Sequence, residues 1–179
     1  MLKTIAFVAL GVAAAFAVTI ALQPSAFRVV RTGKISAPPA QVFAQVNDLH
    51  KWQAWSPWAK LDPKAVNTFE GPESGKGAAM SWAGNKDVGE GKMTIVESSP
   101  NDRITFQLDF AKPMQATNTT VFAFNPDGDG TMVTWEMSGN NNFVGRMICS
   151  FVNMDKMVGG MFETGLANLN TVVAQPGKS

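Results

Sequence analysis

The sequence predicts an α+β domain in which an antiparallel sheet is closed by a long C-terminal helix, behind an apolar amino-terminal segment. Three observations carry the prediction. Between Met80 and Met137, apolar and polar residues alternate in runs separated by Gly, Pro, Asn and Asp, the pattern of half-buried strands joined by turns. From Val144 to about Val173 the apolar period becomes that of a helix. Finally, Trp52-Gln53-Ala54-Trp55-Ser56-Pro57-Trp58 sets three of the chain's five tryptophans within seven residues, an apolar anchor whose indole N–H groups need partners.

The leader comes first. Ile5 to Leu22 is eighteen residues without a charge, and only Thr19 is polar, which is just long enough to span a bilayer core. A cleaved signal peptide is the rival, with Thr19-Ile20-Ala21 as a small-x-small site; the length of the run and the lack of an Ala-x-Ala motif favour an uncleaved anchor. Lys3 stands on one side and Arg28, Arg31 and Lys34 on the other, so basic residues do not fix the orientation. The expected location is a membrane through residues 5–22, its side left open, and secreted or periplasmic if the leader is removed.

Phe27 to Ser36 reads as a strand that Ala37-Pro38-Pro39 stops, because proline cannot donate to a ladder and suits a helix start. A helix from Ala40 to Asn47 puts Val42, Phe43 and Val46 on one face, and Asp48 to Trp52 leads into a second short helix ended by Ser56-Pro57. After the Gly/Pro/Lys-rich stretch Gly71 to Gly77, Met80 and Trp82 alternate with small residues. Met93 and Ile95, then Ile104, Phe106, Leu108 and Phe110, mark two more strands. Met114 to Asn125 places Asn118, Thr120, Phe122 and Phe124 on one face, and after the turn Pro126 to Gly130 come Val133, Trp135 and Met137. Ser138 to Asn142 is a loop able to cap the last helix. On that helix Val144, Ile148, Phe151, Val158, Phe162, Leu166 and Leu169 form one stripe, and Met147, Met154, Met157 and Met161 a second beside it. So broad an apolar surface predicts a helix lying on the sheet, with methionines as core filler or as an adaptable pocket.

Composition narrows the function. A net charge of +1 with 16% charged residues and no basic run excludes nucleic acid as a partner. One cysteine, Cys149, rules out an intramolecular disulfide or a multi-cysteine metal site, and its helical setting suggests a small buried hydrophobe. One histidine, His50, and no tyrosine remove a multi-histidine metal site, a Ser-His triad and a phenol acid. No metal and no cofactor are expected; protein partners are left open.

The order of elements, together with Ala37-Pro38-Pro39-Ala40-Gln41-Val42-Phe43, Asn47-Asp48-Leu49, Trp55-Ser56-Pro57-Trp58, Met80-Ser81-Trp82 and Gly165-Leu166-Ala167-Asn168-Leu169, resembles the SRPBCC (START-like) superfamily, and within it the polyketide cyclase/dehydrase-like branch. The resemblance covers Phe27 to Val173. It implies the helix-grip fold: a curved seven-stranded antiparallel sheet wrapped around the long C-terminal helix, with two short helices after the first strand completing an apolar cavity. It implies as partner a hydrophobic small molecule such as a lipid, sterol or polyketide. The absence of tyrosine and the single histidine depart from catalytic members and argue against an enzyme. The expected domain is 27–175, after an anchor or signal and linker at 1–26 and before a disordered tail at 176–179.

Candidate ligand-binding residues follow. On inward strand positions Trp82, Phe106, Phe122 and Trp135 are cavity walls or ordinary core, and Asn118 and Thr120 are a polar floor or a solvent-facing strand end. Trp58 comes from the tryptophan segment, and Phe151, Met154 and Phe162 from the helix. Asp155 falls on the apolar stripe, where an inward carboxylate would orient a ligand or serve as a general acid or base; alternatively it pairs with Lys156 or Arg146, or accepts from the indole of Trp55 or Trp58. His50 and Glu136 read as surface residues. Three functions remain: a membrane-tethered binder of a hydrophobic molecule, a cyclase or hydratase using Asp155 with Asn118 or Thr120, and an interaction module whose cavity its own side chains fill.

Overall fold

The alternating runs pair into one sheet. In the computed structural model, which describes residues 2–174, the strands are β1 (Ala26–Ile35), β2 (Val66–Glu70), β3 (Ala79–Ala83), β4 (Glu90–Ser99), β5 (Arg103–Lys112), β6 (Ala116–Asp127) and β7 (Gly130–Asn140). They form a seven-stranded sheet in the order β1-β7-β6-β5-β4-β3-β2, antiparallel throughout. The helices are α1 (Leu2–Leu22), α2 (Pro39–Val46), α3 (Trp52–Trp55), α4 (Phe143–Cys149) and α5 (Met154–Ala174), with 3₁₀ turns at Leu49–Lys51 and Pro57–Lys60. This α+β arrangement, a seven-stranded antiparallel sheet with a C-terminal helix packed on it, fits the helix grip. The tail expected at 176–179 lies outside the described residues.

Two elements differ from expectation. Reading the alternation finds six strands and passes over β2, which is an edge strand with four of its five residues exposed, so no inward stripe reveals it. The continuous helix from Val144 to Val173 is in fact two. Asn153 breaks it by accepting from the backbone N–H of Lys156 (2.9 Å), as Asn142 does for Gly145 (2.8 Å) at the start of α4. Asparagine favours a cap over a helix interior because its side chain competes for backbone donors.

Packing fixes α2, α3 and α5 on the inner face of the sheet. Val42, Phe43 and Val46 of α2 are buried, and the ring of Phe43 meets Phe124 edge to face at 5.5 Å. The last carbonyls of α2 lack intrahelical donors. Trp52 Nε1 donates to that of Val46 (2.9 Å) and Trp55 Nε1 to that of Gln45 (3.3 Å), so two indoles cap the helix while their rings enter the core. Asn168 of α5 donates to the Trp55 carbonyl (3.0 Å), and Asn170 accepts from the Ser36 N–H (2.7 Å). These bonds set where α5 crosses the sheet.

The leader forms α1, with Ile5, Phe7, Leu10, Val12, Phe16, Val18 and Leu22 exposed. Among the described residues no helix is long and apolar enough to cross a membrane. The transmembrane helix expected over Ile5 to Leu22 thus finds no support in the structure.

Candidate functional site

Strand register turns the inner face into a grid of rows. The first row is Trp82, Gly91, Phe110 and Ala116; the second is Met80, Met93, Leu108, Asn118, Gly139 and Phe27. The third is Ile95, Phe106, Thr120, Met137 and Val29. Ile104, Phe122, Trp135 and Arg31 make the fourth.

The fourth row lies beneath α3 and α5 and is packed solid. Trp135 stacks on Phe162 of α5 with centroids 4.2 Å apart and planes 8° from parallel, and it meets Trp55 and Trp58 edge to face at 5.8 Å each. Trp52 closes on Phe106 (5.4 Å) and Phe122 (5.9 Å). Each such ring contact adds roughly 0.5–1.5 kcal/mol beyond area burial. Here Phe106, Phe122 and Trp135, read as cavity walls or ordinary core, fill the space between sheet and helix.

The character changes along the sheet. Asn118 and Thr120 are buried, at 9% and 2% exposure, and Asn118 Oδ1, Thr120 Oγ1 and Trp135 Nε1 find no protein partner. Asn118 Nδ2 has only the sulfur of Met137, at 3.7 Å. A buried polar atom without a partner costs about 1–3 kcal/mol. The register puts an unsatisfied acceptor, a hydroxyl and an indole donor in three successive rows of two adjacent strands. Of the two placements expected for Asn118 and Thr120, the inner face is the one adopted: both side chains are buried there and not at a solvent-facing strand end.

Beyond it the face opens. Trp82, Leu108, Phe110 and Phe27 are only partly buried, and an open hollow of about 710 Å³ at this end of the sheet is lined by Trp82, Gly91, Phe110 and Ala116 of the inner face together with Lys92, Asp109 and Thr117 of the outer one, without Asn118 or Thr120. Trp82 and Phe110 meet edge to face at 5.6 Å, and Trp82 Nε1 reaches the Val88 carbonyl (3.4 Å). A second hollow of about 400 Å³ lies by Leu49, His50 and Phe69, where the imidazole stacks on the phenyl ring at 4.0 Å.

The remaining candidates lie apart. Asp155 is in the first turn of α5 with 62% of its side chain exposed, not facing the interior. Its partner is Arg31, which sequence reasoning did not offer. Arg31 projects from the inner face of β1, donates to both carboxylate oxygens of Asp155 (2.9 and 3.0 Å), and donates through Nε to Glu163, about two turns farther along the helix (2.6 Å). Between those acids sits Gly159, where any side chain would strike the guanidinium. Hydrogen bonding from Arg31 lowers the Asp155 pKa, and the two carboxylates raise that of Arg31. The signal in the sequence was an arginine at an inward strand position, Val29-x-Arg31-x-Gly33, opposite a glycine on the helix.

Phe151 is 75% exposed and lies outside the inner face, against Phe16 of α1 (6.2 Å); Met154 is half-buried at the start of α5, and Cys149 is half-buried too. Glu136 lies on the outer face and pairs with Arg28, whose hydrogen bonds lower its pKa. Among the described residues no group of three or more His, Cys, Asp or Glu side chains is placed to hold a metal.

Comparison with known proteins agrees with this architecture. Residues 26–174 match the family described as polyketide cyclase / dehydrase and lipid transport. No curated protein sequence matches the chain. Among solved structures, protein CV1439 from Chromobacterium violaceum is similar at 17% identity and a TM-score of 0.57, covering 86% of this chain and 99% of that one. Mll3558 from Rhizobium loti is similar at 21% identity and a TM-score of 0.56, covering 82% and 97%. DynU16, from the dynemicin biosynthetic locus, is similar at 13% identity and a TM-score of 0.57, covering 83% of this chain and 47% of that one. At such identities the likeness carries the fold alone.

Proposed function

Since this chain belongs to the polyketide cyclase / dehydrase and lipid transport family, within the SRPBCC superfamily, we propose that it binds a hydrophobic small molecule bearing a hydroxyl or carbonyl group, on the open end of its inner sheet face. The observation that carries this reading is the pair of buried, unpartnered polar groups on Asn118 and Thr120, one and two register rows from an open hollow edged by Trp82 and Phe110. Apolar area supplies the affinity, at about 25 cal/mol per Å² removed from water, and the polar atoms fix orientation. A lipid, sterol or polyketide-like molecule meets both demands. We further propose that Ile5 to Leu22 tethers the domain to a membrane, supported by its uncharged length and its exposed apolar side chains.

One observation favours a second reading. The aromatic layer of Trp52, Trp55, Trp135, Phe122 and Phe162 already fills the space under α5, as in a structural or interaction module. Asp155, paired with Arg31 at the surface, gives little support to a cyclase or hydratase mechanism through that carboxylate. The deciding experiment is native mass spectrometry of the full chain purified from membranes in mild detergent, with solvent extraction of whatever accompanies it. The binding reading expects a stoichiometric apolar molecule that Trp82→Ala releases. A bare protein mass, with no thermal stabilisation by a panel of lipids, sterols and polyketides, moves the assignment to the structural module.

A further inference from the structure

We infer that α4 rests in the headgroup layer of the bilayer and turns the open end of the sheet toward it, so that the ligand enters from lipid rather than from water. The inference rests on the tethered reading above.

Helix α4 is apolar on its outside. Phe143, Val144, Met147 and Ile148 of α4, with Phe151 and Val152 in the turn that follows it, form one apolar surface, and all are at least 37% exposed. Such a contiguous patch marks an interaction surface. What covers it is indicated by where it is fastened. Arg146, on the other side of the helix, donates to the carbonyl of Ala21 (3.0 Å) in the last turn of α1 and to that of Gln23 (3.1 Å) just after it, and Ser150 donates to the Gln23 side chain (3.2 Å). Ile20 of α1 is buried to 1% exposure, and Phe16 packs on Phe151. The exposed apolar surface of α1 therefore continues onto α4 at the point where α1 ends. With α1 set into the lipid as the tethered reading has it, its end at Ala21 to Gln23 lies at the membrane surface, and α4 lies there with its apolar face available to acyl chains.

The same fastening orients the site. Ala26 pairs with Asn140, and the Asn141 N–H donates to the Ser25 carbonyl (2.8 Å), so the junction of α1 and α4 stands at the end of the sheet where the first and second rows lie. Asn118 is in β6, two strands from β1 and so about 10 Å across the sheet. Asn118, the hollow and the apolar helix thus lie toward the same end of the sheet, the hollow on strands β3 to β6 farther from β1, while the aromatic layer that holds Trp135 lies toward the other end.

The test uses the full chain in vesicles of mixed zwitterionic and anionic phospholipid. Cys149 is replaced by serine, and an environment-sensitive fluorophore is placed on a single cysteine at Met147, Ile148 or, as a control, Phe69 on the far edge strand. Flotation reports the tether, and nitroxides carried on lipids at headgroup depth report proximity of α4. The expected result is flotation with strong quenching at 147 and 148 and none at 69. In otherwise native protein, Ile148→Asp should preserve flotation while slowing transfer of a fluorescent lipid from vesicle to protein about tenfold, since one buried apolar side chain is worth that factor or more. Flotation with 147 and 148 no more quenched than 69 overturns the inference and leaves the tether standing. Shielding from aqueous iodide without lipid quenching overturns it in favour of a second copy of the chain on α4. Failure to float removes the tether and this inference with it.

Discussion

Thr120 shows at the scale of one residue how a site and a core differ. Its hydroxyl is buried among Phe106, Met137 and the neighbouring rows without a protein partner, which a residue selected for packing alone would not tolerate. Thr120→Val keeps the shape and removes the unsatisfied group. We expect the unliganded protein to gain about 1 kcal/mol, a rise of roughly 2–4 °C in melting temperature for a domain of this size. Affinity for a hydroxylated or carbonyl-bearing ligand should fall by about tenfold, as loss of one hydrogen bond predicts. Calorimetry and ligand titration of the variant read both, and a variant that loses stability without losing affinity would speak for a structural hydroxyl. Strand alternation puts Asn118 and Thr120 on one face with Phe122 and Phe124, but it leaves open whether that part of the face is buried or reaches solvent, which the structure decides. The role of Arg31 was not legible, since alternation cannot show that a helix glycine opposite leaves room for a guanidinium.

At the scale of elements, α5 works because it is thin where it touches aromatic rings. A methyl group on Gly165 would come within 2.6 Å of Trp135 and 3.1 Å of Pro57, and neither ring can swing aside. Alanine is the better helix former by about 1 kcal/mol, yet Gly165→Ala is expected to destabilise by about 1–3 kcal/mol because overpacking outweighs propensity. Chemical denaturation gives the sign directly. The half of the apolar stripe from Phe162 onward was read correctly because burial follows period: Phe162, Leu166 and Leu169 are all in the core. The half before it was not, because the period of α4 continues in phase into α5 and only the capping habit of Asn153 marks the break. Strand β2 escaped for the opposite reason, having no buried face to generate a pattern.

The whole molecule is held by few charges, which makes its response to acid specific. Arg31 ties the first strand to the last helix through Asp155 and Glu163. Because the folded state holds the Asp155 pKa below its ordinary value, the unfolded chain binds the proton more readily. This stabilisation is present above the ordinary aspartate range, about pH 4, and is lost as pH falls through the lowered folded value. Melting temperatures of the wild type and Asp155→Asn, followed from neutral pH downward, should therefore differ most near neutrality and converge in acid. A constant offset would assign the effect to packing instead. The architecture as a whole was legible because meander, tryptophan segment and closing helix each leave a periodic trace, whereas the relation of the leader to α4 depends on contacts between segments more than a hundred residues apart. That relation has one more consequence. With Arg146 clamped on the end of α1, the chain between leader and domain is a fixed joint and not a leash, so a tethered domain cannot swing out to sample its surroundings. On the proposed tether, a hydrophobic ligand would reach the domain by drifting within the sheet of lipid, a search in two dimensions whose speed is set by membrane fluidity and by how many copies share the same patch.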